Sequence, residues 1–312
     1  MLASEVILPT DHEERMRRVR LAIDGLSLGD SFGQQFFNPA VCIRANSKTP
    51  PDPPWNYTDD TVMALAIAEV LGQFGRIEQD QLAEVFARRF DAEPTRGYGS
   101  GTMRLLREVV QGGDWRQLSA SMFGGVGSFG NGGAMRVAPV GAYFADDLAR
   151  TAAEAKASAE VTHGHVEGQA GAIAVAIATA WAWSWQQEGR TEPRESLLRV
   201  AADFTPDGQT RASIIRGMDF PLDDWEHTAA NALGNGGLVS APDTVPFCLW
   251  CAAAHLDDLQ EAMWVAVRVG GDIDTNCAII GGIVALAVGR AGLPDDWLRC
   301  RESLWWDSRP PA

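Results

Sequence analysis

Apolar residues recur along this chain three and four positions apart, and nowhere do they alternate in the sustained period-two manner of a half-buried strand. Met16, Val19, Ile23 and Leu26 make one such stripe, Leu82, Val85, Phe86 and Phe90 a second, and Leu105, Leu106, Val109 and Val110 a third. Further helical runs are expected over roughly 61–74, 147–160, 166–186, 195–203, 208–217, 243–255, 257–269, 275–290 and 295–304. The predicted fold class is all-α: one domain over residues 1–312, with its core at about 14–304. Breaks rich in glycine and proline fall at 47–55, 92–101, 123–133 and 234–246, lengths typical of functional loops. Residues Pro50 to Pro54 read as an exposed extended loop, and Ser308 to Ala312 as a frayed tail.

Two of the helical runs open on acidic clusters, Thr58-Asp59-Asp60-Thr61 and Gly271-Asp272-Ile273-Asp274-Thr275. Threonine and aspartate are what a helix N-terminus favours, since the hydroxyl accepts a backbone N–H bond and the carboxylates face the positive end of the dipole. Capping alone is therefore one reading. The other is chemical: capping needs one acceptor, yet each cluster supplies two carboxylates and a hydroxyl, and like charges repel unless a cation lies between them. Oxygen donors of this kind suit Mg²⁺, Mn²⁺ or Ca²⁺. Gly270 and Gly271 allow close backbone approach to the second cluster.

Composition narrows the class. With 46% hydrophobic and 21% charged residues, the 312-residue chain is an ordinary globular protein with ample core. A formal net charge of −15 argues against a nucleic-acid partner, which needs a basic surface. Five cysteines, an odd number lying mostly in apolar stretches, fit free thiols and a cytoplasmic setting. Cys248 and Cys251 form a C-x-x-C without a second pair or a βαβ context, which favours a structural role. The charged N-terminus lacks a signal core, and the most apolar runs, Ala170–Trp185 and Cys277–Val288, are too short to span a membrane.

The segment Phe123 to Arg136 carries six glycines within residues 124–133. Gly125, Gly127 and Gly130 spell a literal G-x-G-x-x-G. The Rossmann reading fails because the preceding residues, Trp115 to Ala120, are not a strand-like run. What remains is a nest of backbone N–H groups able to hold an anion such as a diphosphate, flanked by Phe123 and Phe129, either of which could stack on a base. A flexible loop with structural glycines is the plainer alternative, although exposed phenylalanines are unfavourable without a partner.

These stretches, taken in order, resemble the ADP-ribosylglycohydrolases. The resemblance runs from Gly25 to about Gly289, through Gly29-Asp30-Ser31-Phe32-Gly33, Thr58 to Thr61, Arg96 to Gly101, Ser128 to Arg136, Thr162-His163 and Gly270 to Thr275. It implies an all-α bundle and two Mg²⁺ ions, with Mn²⁺ an alternative, held by Thr58, Asp59, Asp60, Asp272, Asp274 and Thr275. It implies water attack at the anomeric carbon of the distal ribose, with Asp59 and Asp60 catalytic. ADP-ribose, free or attached to a protein or metabolite, is the implied partner. Its binding residues are Gly97, Gly99, Phe123, Gly127, Ser128, Phe129, Gly130, Asn131, Gly132, Met135 and His163, with the two phenylalanines at the adenine and His163 beside the distal ribose. For His163 a purely structural role at a helix start stands beside this one, and His12, His165, His227 and His255 are read as structural. The aromatic-Gly-x-x-Gly-Ser-aromatic order looks more like the branch acting on serine-linked ADP-ribose, poly(ADP-ribose) and O-acetyl-ADP-ribose than like the arginine-specific branch.

Two positions depart from the pattern. Serine-specific relatives carry a glutamate a few residues after Gly-Asp-x-x-Gly, and here Phe37 stands there, which puts serine-linkage cleavage in question. Ile273 replaces the usual threonine between the aspartates and is expected to alter packing more than chemistry. The alternatives are a non-catalytic ADP-ribose-binding member of the family, or a hydrolase of another nucleotide conjugate on the same scaffold.

Overall fold

The computed structural model of the chain describes residues 8–307. Its helices are α1 (His12–Gln35), α2 (Pro39–Cys42), α3 (Asp59–Phe74), α4 (Gln79–Ala92), α5 (Ser100–Val110), α6 (Trp115–Gly125), α7 (Gly132–Met135) and α8 (Ala138–Tyr143). They continue with α9 (Leu148–Glu160), α10 (Val166–Gln187), α11 (Ser196–Phe204), α12 (Gln209–Gly217), α13 (Glu226–Leu233), α14 (Ala241–Ala254), α15 (Leu259–Val269), α16 (Ile273–Val288) and α17 (Asp295–Cys300). Among the described residues there is no strand, only isolated bridges pairing Trp55 with Arg301 and Gly130 with Ser240. The all-α expectation holds, and every predicted run falls on a helix. The tail at 308–312 lies outside the described residues.

Differences from the expected runs have local causes. α17 stops at Cys300 instead of continuing to 304, because Trp55 N–H bonds to Cys300 O at 2.8 Å and Trp55 O accepts Glu302 N–H at 2.8 Å, drawing the chain out straight. The break expected at 234–246 ends early: α14 starts at Ala241 with a proline in its first turn, where the missing N–H costs nothing. α2, α6, α7, α8 and α13 were not expected; apart from α6 they have eight residues or fewer, too short for a periodic pattern to register.

The centre of the fold is the contact between α1 and α16. Gly25, Gly29 and Gly33 lie four residues apart on one face of α1. A methyl group on Gly29 would drive into the Cys277 carbonyl, one on Gly25 into that of Gly281, and one on Gly33 would lie 2.7 Å from Ile273 O. The two helices therefore touch backbone to backbone. Below this seam Phe32 stacks on Trp297 at 4.5 Å and meets Trp264 and Trp55 edge-on at 5.0 and 5.4 Å. Such aromatic pairs are worth about 0.5–1.5 kcal/mol each beyond burial. The seam thus locks Asp30, in the last third of α1, against the start of α16. α10, buried on almost every side, backs the opposite flank, as expected of a helix apolar all round.

Candidate active site

Asp30 decides what the first acidic cluster does. Completely buried, it accepts N–H bonds from Thr58 at 2.9 Å and Thr61 at 3.1 Å, and hydroxyl bonds from Thr58 at 2.8 Å and Thr61 at 2.5 Å. These include donors that α3 would otherwise leave orphaned in its first turn. The cap of α3 is thus supplied by another helix, and Thr58, at the N-cap position, makes no capping bond of its own. Asp59 and Asp60 are thereby released from capping duty. Sequence reasoning placed Asp30 in a motif without giving it a role.

The second cluster is arranged in the same spirit. Asp272 precedes α16 yet makes no capping bond; its Oδ2 accepts from Asn131 Nδ2 at 2.7 Å, and the same amide group also donates to Thr244 Oγ1 at 3.1 Å. Gly271, at φ +79°, lies so close to the Asn235 carbonyl that any side chain would collide with it. Asp272 N–H in turn bonds to Asn235 O at 3.2 Å. The glycine-rich loop and the second acidic cluster are therefore tied by a direct side-chain bond.

The loop has a helix and no strand before it, which settles the dinucleotide-fold reading against it. α6 breaks at Met122, after which Phe123 and Gly124 take left-handed backbone angles, φ +51° and +73°. Gly127, at φ +80°, sits where a methyl group would be 2.6 Å from His165 N and 2.7 Å from Gly164 C, so this turn accepts only glycine. Farther along, Ala241 N–H bonds to Phe129 O at 3.0 Å and holds the 234–240 loop alongside.

A single cavity of about 420 Å³ gathers most of the predicted residues. Asp59, Asp60, Asp272, Asp274 and Thr275 line it together with Gly97 and Gly99. Phe123, Ser128, Gly130, Asn131, Gly132, Met135 and His163 complete the expected set on its wall. Three predicted residues are not on that wall. Thr58 faces a neighbouring groove. Gly127 is buried in its turn. Phe129 is half exposed with its ring 5.4 Å from His165, so the expected pair of adenine-holding rings is split, with Phe123 alone on the lining. Ser100, Gly101 and Thr102, at the start of α5, and Val239 also line the cavity and were missed. Val239 has φ +52°, rare for a β-branched residue, a sign that no residue pattern announces. His165 caps α10 by accepting Glu167 N–H at 3.0 Å, as its structural reading required. Phe37 is 47% exposed and lies off the cavity wall, while Ile273 is buried in the core.

Charge dominates this cavity. Burial and then the nearby Asp30 push Asp59 up to about 7. Asp30 itself is raised by burial to about 6 despite its four donors. Asp60 and Asp274 rise well above the carboxylate range, first through burial and then through the surrounding aspartates, and Asp272 rises through burial. Among the described residues no three His, Cys, Asp or Glu side chains converge into a finished cation cage. The donor set nonetheless fits hard cations: it is all oxygen, its members repel one another, and the buried Asp60 Oδ2 has no hydrogen-bond partner. Among the described residues, the buried cation whose charge acts on the cluster, through Asp59, is Arg136, lowered to about 9 by burial and therefore still protonated near neutrality.

Among the described residues no helix is long and apolar enough to cross a membrane. A family profile for ADP-ribosylglycohydrolases matches residues 11–308. ADP-ribosylhydrolase ARH3 of Gallus gallus is 29% identical over 277 residues, covering 80% of this chain and 74% of its own. An uncharacterized protein of Archaeoglobus fulgidus is 32% identical over 242 residues, with coverage of 78% and 74%. The ADP-ribosylarginine hydrolase Tri1 of Serratia proteamaculans is 24% identical over 307 residues, with coverage of 91% and 75%. A solved structure described as an ADP-ribosylglycohydrolase-related protein complex superposes with a TM-score of 0.64 at 27% identity, covering 93% of this chain and 94% of that one. The all-helical architecture, the paired acidic helix starts and the profile match together place the chain in the ADP-ribosylglycohydrolase family.

Proposed function

We propose that this protein hydrolyses ADP-ribosyl linkages on protein side chains or small molecules in a Mg²⁺-dependent reaction. The observation that carries the proposal is the meeting of two acidic helix starts with a glycine-rich loop in one cavity. Its volume, about 420 Å³, falls within the roughly 300–1,000 Å³ range of small-molecule sites. Two Mg²⁺ or Mn²⁺ ions would be held by Thr58, Asp59, Asp60, Asp272, Asp274 and Thr275, supplying a water of lowered pKa and an anchor for the ribose hydroxyls. The backbone N–H groups between Gly127 and Gly132 bind the diphosphate, Phe123 offers its face to the adenine, and His163 lies toward the distal ribose. Asp60, whose Oδ2 is unpaired, takes the proton from the attacking water. The water oxygen bonds to the anomeric carbon as the bond to the acceptor breaks, and the proton that Asp60 took from the water passes to the departing acceptor, returning the carboxylate to its starting state. The free cysteines fit a cytoplasmic setting.

Phe37 favours a second reading, a family member that binds ADP-ribose without turnover, since an apolar side chain on the exposed surface can neither move a proton nor hold a metal. One experiment separates the two. ADP-ribose release is followed by mass spectrometry from matched serine-linked and arginine-linked ADP-ribosyl peptides, with Mg²⁺ and with EDTA. Mg²⁺-dependent release from either peptide supports the hydrolase and identifies its linkage. Saturable ADP-ribose binding without release from either supports the binding protein or a hydrolase of a different acceptor.

A further inference from the structure

His163 is buried yet lines the cavity, and its Nε2–Cε1 edge is turned toward the glycine loop: methyl groups on Gly130 and Gly132 would lie 3.4 and 3.2 Å from Nε2, and the one on Gly132 3.1 Å from Cε1. The other ring nitrogen points inward. Nδ1 lies 2.7 Å from Thr162 Oγ1, and Thr162 Oγ1 accepts a bond from Arg136 Nη2 at 2.8 Å. Arg136 is fixed in turn. It donates to Ser158 O at 3.2 Å, lies 4.5 Å over the Phe86 ring, and is wholly buried.

The chain has a direction. A guanidinium only donates, so Thr162 receives a proton contact from Arg136 and keeps its own hydroxyl hydrogen to give away. Among the described residues, the partner within hydrogen-bond reach that can accept it is His163 Nδ1. An occupied Nδ1 lone pair leaves the ring proton on Nε2. We infer that Arg136 and Thr162 are positioning residues that hold His163 as the Nε2–H tautomer, so that it meets its ligand as a hydrogen-bond donor and not as a proton acceptor. Burial and the Arg136 charge keep the imidazole neutral, at about 3, which agrees with this direction. The group it recognises is an acceptor oxygen; that this oxygen belongs to ADP-ribose rests on the function proposed above. Proton removal from water is then left to the carboxylates.

The test reads the tautomer directly. Full-length protein labelled with ¹⁵N-histidine is examined by long-range ¹H–¹⁵N correlation, with His163 identified by the signal missing from His163→Gln. The expected pattern is a protonated Nε2 and a bare Nδ1, unchanged between about pH 8 and about pH 5. A protonated Nδ1, or a ring that titrates in that interval, overturns the inference. Thr162→Ser keeps the pattern. Thr162→Val loses it to a tautomer mixture and raises the Kd for ADP-ribose and KM by roughly tenfold, with kcat changing less. A valine variant that keeps both pattern and affinity removes Thr162 from the relay; should it fail to fold, the wild-type and serine spectra decide. The spectra need no substrate, so a protein that releases no ADP-ribose would sink the proposed function while leaving the tautomer assignment to stand or fall separately.

Discussion

On the proposed cation site, stability with EDTA and stability with Mg²⁺ should depend on pH in opposite directions. Without a cation, Asp30 and the four cavity aspartates are each raised above the ordinary carboxylate value, first by burial and, for Asp59, Asp60 and Asp274, then by neighbouring aspartates. A carboxyl raised on folding stabilises the native state while it is protonated, and that contribution is lost as pH climbs through the folded value. For Asp59, at about 7 against an ordinary 3.8, lowering the pH from about 8 to about 5.5 returns about 2 kcal/mol. Asp30, at about 6, returns just under about 1 kcal/mol over the same interval. Asp60 and Asp274 act in the same direction, although shared protons prevent simple addition. His163, buried neutral, opposes them by about 1.4 kcal/mol, because the unfolded imidazole gains a proton that the native one refuses. His255 is also lowered and adds to this opposition. Carboxylates lowered by ion pairs, such as Asp146 beside Arg18, lose their contribution only near or below their ordinary value and stay silent in this interval. The aspartates win, and EDTA-treated protein should be more stable at about pH 5.5 than at about pH 8 by a few kcal/mol. Saturating Mg²⁺ should reverse the slope, since ion binding needs the carboxylates deprotonated. Urea unfolding at both pH values, with EDTA and with Mg²⁺, measures this. Equal slopes in the two conditions would refute the cation site, and an EDTA-treated protein that weakens on acidification would refute the electrostatic account itself.

Five further outcomes are expected. Asp60→Asn should keep the fold, be at least as stable as wild type in EDTA, and lose turnover by roughly 10²–10⁴-fold; release of ADP-ribose at the wild-type rate would remove Asp60 from proton transfer. Asn131→Ala should weaken cation binding and ADP-ribose binding together by calorimetry, because its amide joins the loop to Asp272; a change in one affinity alone would refute the coupling. Gly29→Ala should destabilise the fold by about 1–3 kcal/mol or more by forcing α1 off α16. Gly72→Ala, whose methyl would meet only Met16 Cε at 3.5 Å, should stabilise by about 0.5–1 kcal/mol in matched urea melts. Phe37→Glu, at a position 47% exposed and off the cavity wall, should change stability by less than about 0.5 kcal/mol and leave release from serine-linked peptides at the wild-type rate; a rise in that release would show that position 37 reaches the site.

What could be read from the residues and what could not differ in one physical respect. Periodicity is a property of a single segment, so α3, α9 and α10 were legible almost to their ends, whereas α13 is too short to repeat itself. The acidic clusters were ambiguous for the same reason: a segment shows that Asp59 and Asp60 follow a threonine at a helix start, but not whether the helix needs them as caps. That question is answered by Asp30, more than twenty residues upstream on another helix, whose carboxylate already satisfies Thr58 and Thr61. Its placement depends on the Gly25, Gly29 and Gly33 stripe, which brings α1 against α16 at backbone distance. Arg136 is a parallel case, a charged residue ending a glycine motif that becomes meaningful only when Thr162 and His163 arrive beside it from the far end of α9. Val239 and the first turn of α5 reach the cavity through loop geometry with no residue signature. The chemistry-bearing groups are thus visible in the chain, while the groups that free them or aim them are visible only in the packing, and variants at Asp30, Arg136 and Thr162 are where the two kinds of evidence can be set against each other.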